Sequence, residues 1–270
     1  MAEQTLTYRN DSLILNEAYE YALLVLVNGN SFSYAVTSGN QLMAYEANCP
    51  LSELTNPSQL QELLEANYKK IVLALPSPGF SLLPVNLFNA DRLTDIAHLL
   101  DVKENEKVLA QVLDKENYIV YKVDEQLLAV VNRYDTKNVV FAAKGWIKAI
   151  AEANPANNQL YVNVEGNKAD FLYFKDAGIR FYNSFEAKSA DDVAYYAALV
   201  AGDLELHPEL TRLIVSGDIT AGDEIHTSLS RFFLAVTINP IQLLELPEQL
   251  SHHQLLSLAA LSLCESSEAL

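Results

Sequence analysis

The sequence predicts a mixed α/β protein with one architecture laid down twice. Residues 21–46 and 159–186 each read as a three-stranded meander. Each meander leads into a helical stretch and then a short apolar strand. The spacing also matches. Gly29 and Gly39 stand ten residues apart, and Gly166 and Gly178 twelve. From the second glycine to the apolar strand is 32 residues in the first half (Ile71) and 35 in the second (Leu213). Side-chain identity between the halves is poor, so the repeat is one of pattern.

In the first half, residues 21–27 are an unbroken apolar run, as expected of a strand covered on both faces. Asn28-Gly29-Asn30 ends it with a hairpin signal, because glycine accepts the positive φ of a tight turn. Residues 31–36 alternate polar and apolar, as a half-buried strand does. Ser38-Gly39-Asn40 turns the chain again into residues 41–46. Pro57 opens a predicted helix with Leu60, Leu63, Leu64 and Ala66 on one face. Residues 71–75 make a buried strand, stopped by Pro76 and Pro78. Residues 90–100 then read as a helix, 108–113 and 118–123 as a hairpin, and 124–134 as a helix. A short strand at 139–142 and a helix at 144–153 complete this half.

Asn154-Pro155-Ala156-Asn157-Asn158 is polar and cannot continue a helix, so the domain joint is placed there, between residues 1–155 and 156–270. In the second half, residues 160–164, 169–174 and 179–185 are the three strands of the meander. Ser189, with Asp191 and Asp192, reads as a helix start, since carboxylates complement the positive end of the helix dipole. That helix carries Val193, Tyr196, Ala197 and Val200, and Leu213-Ile214-Val215 is the strand after it. Beyond Pro247 the leucines Leu250, Leu255, Leu256, Leu258, Leu261 and Leu263 predict a terminal helix, buried on its own chain or joined to a partner.

Composition narrows the function classes. The 270 residues carry 35 acidic against 18 basic side chains, a formal charge of −17. Nucleic-acid binding needs clustered cations, and the short basic clusters here (Lys69-Lys70 is one) lie among carboxylates. The same charge disfavours an anionic membrane surface, and no apolar run is long enough to span a bilayer. Met1-Ala2-Glu3-Gln4 lacks the basic and apolar segments of a secretory signal. Cys49 and Cys264, far apart in sequence, fit free thiols in a reducing cytoplasm.

A meander, a helix and a buried strand, given twice, resembles the paired ribonuclease H-like halves of the actin-like ATPases. The chain also resembles, over nearly its whole length, a bacterial family of unknown function with that fold. Tyr182-Asn183-Ser184-Phe185, Asp191-Asp192-Val193-Ala194-Tyr195-Tyr196 and Leu213-Ile214-Val215-Ser216-Gly217-Asp218-Ile219 carry the likeness. Val120-Tyr121-Lys122-Val123 and Leu261-Ser262-Leu263-Cys264-Glu265 extend it. More distantly, the layout is similar to cytoplasmic actin-like proteins of pilus assembly and type II secretion. The resemblance implies two lobes around a cleft that holds nucleotide between two Asp-x-Gly turns and a Gly-Gly loop.

At the matching positions the chemistry is depleted. The first turn is Asn28-Gly29-Asn30, with an amide where a magnesium-positioning carboxylate is expected. In the second, Glu165 is adjacent to Gly166 and one position out of register. The loop is Ser216-Gly217-Asp218, with one glycine of two. These eight residues are the candidate cofactor-binding positions, although ordinary turns account for each of them. No residue is nominated as catalytic or metal-binding and no cofactor is expected. Asp191-Asp192 is explained by helix capping, and His252-His253 lacks the spacing of a zinc site. His98, His207 and His226 are scattered, and no phosphate-binding loop ending in Gly-Lys-Ser/Thr occurs.

Phe181, Tyr182, Phe185, Tyr195 and Tyr196 form an aromatic set, mostly core, that leaves some ring surface for a partner. The expected function is a non-catalytic scaffold for an unidentified protein partner. A degenerate nucleotide binder or weak ATPase is the alternative. A homodimer through the terminal helix or a sheet edge is left open.

Overall fold

The computed structural model describes residues 6–131, 133, 134 and 138–264. They form two compact units. One is Met1–Lys148 with Leu243–Leu246 and Ser257–Leu270, and the other is Ala149–Gln242 with Pro247–Leu256. The terminal leucine-rich stretch is thus shared between the units, whereas the sequence division assigns it wholly to the second.

The first unit begins with β1 (Thr7–Arg9), β2 (Ala22–Asn28), β3 (Ser31–Ser38), β4 (Gln41–Pro50), α1 (Ser52–Thr55), α2 (Gln61–Leu64) and β5 (Lys70–Leu75). It continues with β6 (Phe80–Pro84), α3 (Leu93–Leu99), β7 (Glu106–Val112), β8 (Asn117–Asp124), α4 (Glu125–Val131), β9 (Val139–Phe141) and α5 (Lys144–Glu152). Its main sheet runs β1-β4-β3-β2-β5-β9, and a smaller sheet runs β6-β8-β7. β2 lies between antiparallel β3 and parallel β5, which buries Leu23 through Val27 on both faces. That explains the unbroken apolar run.

Three expectations need correction here. The helix predicted from Pro57 shrinks to the four residues of α2. The Glu53 carboxylate accepts the backbone N–H groups of Ser58, Gln59 and Leu60 at 2.9, 3.1 and 3.1 Å and the Ser58 hydroxyl at 2.6 Å, which holds this stretch as a loop. β6 was not anticipated. The helix expected over residues 124–134 ends at Val131 within the described chain, and Asn132 lies outside the described residues.

The second unit contains β10 (Gln159–Glu165), β11 (Lys168–Lys175), β12 (Gly178–Glu186), α6 (Ala190–Asp203), β13 (Arg212–Gly217), α7 (Glu224–Leu229) and β14 (Ala235–Ile238). Its sheet runs β12-β11-β10-β13-β14. Ser189 and Asp192 form a reciprocal capping box at the start of α6, the role expected from sequence. Val193, Ala194, Ala197, Val200 and Ala201 on one face of α6 pack on Leu160, Val162, Phe171, Leu213 and Val215.

The terminal leucines do not build one long helix. Only α8 (Leu256–Ala259) and a 3-10 turn over Ala260–Leu263 form, and Leu250, Leu255, Leu256, Leu258 and Leu261 are all buried. Within the first unit Lys70 and Lys148 donate to the carbonyls of Ser262 and Leu263, at 3.3 and 2.7 Å. A Cβ on Gly145 would lie 2.8 Å from the Ala260 carbonyl. The stretch therefore packs on its own chain. Glu265, the last residue of the family likeness, lies outside the described residues.

Candidate functional site

The candidate positions fall at three turns, one in the first unit and two in the second. Asn28 closes β2, and Gly29-Asn30 makes a two-residue loop with Asn28 opposite Ser31. Gly29 takes the first loop position with φ +60°, as tight hairpins favour, and a Cβ there would meet nothing within 4 Å. All three residues are exposed. The Asn30 carbonyl accepts the Leu51 N–H at 3.1 Å.

In the second unit, Glu165 ends β10, and Gly166 opens the next hairpin with φ +59°. Ser216 and Gly217 end β13, the parallel neighbour of β10, so both turns lie at the same end of the sheet. The structure joins them. Asp218 accepts the Gly166 N–H on Oδ2 at 2.8 Å, and its own N–H donates to the Val164 carbonyl at 2.6 Å. The Gly217 N–H donates to the His253 carbonyl at 2.8 Å, and His253 Nε2–H donates to the Ile219 carbonyl at 2.8 Å. Gly217 has φ +85°, and a Cβ there would stand 2.0 Å from the Val164 oxygen, so no other residue fits without displacing β10.

The Gly166 and Gly217 amides are thus occupied from within the chain, one by a carboxylate and one by a carbonyl. Sequence reasoning missed His253 because the chain brings it back to Gly217 through a long loop that has no local signature. α7 begins at Glu224, capped by Asp223, which accepts the His226 N–H at 2.8 Å.

Beside these turns, Ser216 donates to Asn163 Oδ1 at 3.1 Å, and Asn163 donates to Glu165 at 3.0 Å. On the same sheet face, desolvation pushes the Asp170 carboxyl up to about 7, against the opposing effect of hydrogen bonding from Ser184. Asp191 accepts the Ser228 hydroxyl at 2.9 Å, a structural tie between α6 and α7. Among the described residues, no three His, Cys, Asp or Glu side chains form a metal-binding group. Cys49 and Cys264 are buried and unpaired, and burial raises the Cys49 thiol to about 12. No described helix is long and apolar enough to cross a membrane.

Within the aromatic set, Tyr182 is buried, with 7% exposure. Phe185 stacks on Tyr196 at 4.5 Å, and Tyr195, 63% exposed, is the ring left to solvent.

The fold is that of the actin-like ATPases. A Bacteroides thetaiotaomicron protein of that fold and of unknown function matches with a TM-score of 0.76 at 20% identity, over 94% of this chain and 99% of that one. A PilM–PilN type IV pilus biogenesis complex matches at 0.58 and 12% identity, over 90% and 97%. Residues 10–236 match the family described as a protein of unknown function, DUF3822, and the chain belongs to that family. No curated protein matches it.

Proposed function

We propose that this chain is a non-catalytic actin-like scaffold that binds another protein, and that it works in the cytoplasm. One observation carries the reading. The Gly166 and Gly217 amides, which the actin-like resemblance would turn toward phosphate, are held by the Asp218 carboxylate and the His253 carbonyl. An incoming phosphate would have to displace a carboxylate and break a buried backbone bond. A neutral Asn28 replaces the magnesium-positioning acid at the first turn, and an amide oxygen is a poor substitute for a carboxylate at a hard cation. The two buried free thiols suit a reducing compartment. The PilM–PilN complex supports the partner-binding side of the reading, since it is a protein assembly that includes this fold. Purified chain incubated with ATP and magnesium is expected to release phosphate at the blank rate. Turnover that disappears in Gly217→Val would overturn the proposal.

A second reading, a degenerate nucleotide binder, draws on the openness around Gly29. It predicts a higher melting temperature in millimolar ATP or ADP, because a ligand selective for the folded state adds stability as RT ln(1 + [L]/Kd). The scaffold reading predicts no shift.

A further inference from the structure

In the first unit a cavity of about 490 Å³, within the size range of ligand sites, opens between strands of the main sheet and the 58–63 segment, where the helix predicted from Pro57 does not form. Tyr34, Ala44 and Glu46 of β3 and β4 line it, with Thr7 and Arg9 of β1 at its rim and the 58–63 segment as its wall. Glu46 is fixed by a neutral partner, the Tyr34 hydroxyl, which donates to Oε2 at 3.1 Å. Glu62 adds a second carboxylate from the wall.

The rim is a sheet edge. β1 stands at the end of the strand order and, among the described residues, pairs only with β4. The Ala47 N–H donates to the Leu6 carbonyl at 3.2 Å, and the Asn10 N–H to the Met43 carbonyl at 2.8 Å. Antiparallel pairs alternate between bonded and non-bonded. The 6/47, 8/45 and 10/43 pairs therefore face inward, and Thr7 and Arg9 turn their N–H and C=O groups outward. Both residues are exposed. An edge with outward donors and acceptors at alternate residues is a template for one more strand.

The geometry points to this edge and cavity as a docking site for an extended peptide segment of a partner protein, carrying a basic residue opposite Thr7 and an acidic residue opposite Arg9. An added strand would lie about 10 Å from β4, two strand spacings away. A lysine or arginine could reach Glu46 across Thr7 because the threonine side chain between them is short, Thr7 being paired with Glu46. Two residues along, on the same face, Arg9 would meet the peptide directly, and opposite charges across strands attract. The chain's net charge of −17 adds long-range attraction for a basic segment.

This gives the protein-binding reading a location, yet it can fail separately, since the non-catalytic reading rests on the turns of the second unit. The test is to pan a phage-displayed random heptapeptide library against the full chain. Selected peptides are expected to pair Lys or Arg with Asp or Glu two positions away, among β-branched residues. Their binding should weaken about tenfold in Glu46→Gln, the loss of one charge-assisted contact. Selection against Arg9→Glu should exchange the acidic preference for a basic one. Both variants change partly exposed side chains, and unchanged melting temperatures will confirm folding. Failure to enrich any peptide, or peptides that bind both variants as well as the native chain, would overturn the inference.

Discussion

In both units an apolar strand, a glycine-led turn and two further antiparallel strands precede a strand that returns parallel to the first. β2 pairs with β5 in this way, and β10 with β13. The units differ in what covers the sheet before that return. In the second, the 14 residues of α6 lie across it with an apolar face. In the first, α1 and α2 have four residues each, and Glu53 takes the amides that would have opened a longer helix. In the first unit a cavity opens between β1, β3, β4 and the 58–63 segment that Glu53 holds as a loop. The turns differ in the same sense. Gly29 is surrounded by open space, whereas Gly217 is pressed against Val164.

The largest expected effect tests that last contrast. Gly217→Ala must move β10 or abandon φ +85°, and should cost on the order of 3 kcal/mol in denaturant unfolding. Gly29→Ala meets no neighbour and should cost about 1 kcal/mol, the conformational penalty alone. Equal losses at the two sites would break the comparison. Ser189→Ala removes the capping box of α6 and should cost about 1 kcal/mol.

A further effect is a pH dependence. The Ser58 hydroxyl, with the backbone amides of Ser58, Leu60 and Gln59, holds the Glu53 carboxyl down to about 2 from an ordinary 4.5. Between those values the unfolded chain binds the extra proton. The contribution of Glu53 is therefore complete above about pH 4.5 and disappears as the pH falls toward 2. Protection factors at the amides of Ser58, Gln59 and Leu60, exchange taken relative to the intrinsic rate at each pH, should fall as the pH drops across that interval. In Glu53→Gln they should be low at every pH.

Much of the architecture is legible from sequence because it rests on local signals. Apolar runs bounded by Gly29, Gly39, Gly166 and Gly178 place six strands, and Ser189 with Asp192 marks the start of α6. Legibility fails where a side chain outside the element decides the outcome. The 57–66 stretch has helical spacing, yet its fate depends on Glu53. Leu250 to Leu263 read as one helix, yet the end of the stretch is set by the close approach of Ala260 to Gly145 and by Lys70 and Lys148, which hold the Ser262 and Leu263 carbonyls. The same holds for the site. Gly166 and Gly217 stand out in the sequence, but the Asp218 and His253 contacts that fill their amides belong to tertiary structure.

The most direct test is to follow the Gly166 and Gly217 amide resonances of isotopically labelled chain while magnesium-ATP is titrated to millimolar concentration. Amides already engaged by Asp218 and His253 should hold their positions throughout. Saturable movement of both resonances, at nucleotide concentrations found in cells, would mean that these turns still receive phosphate and would contradict the reading of a retired nucleotide site.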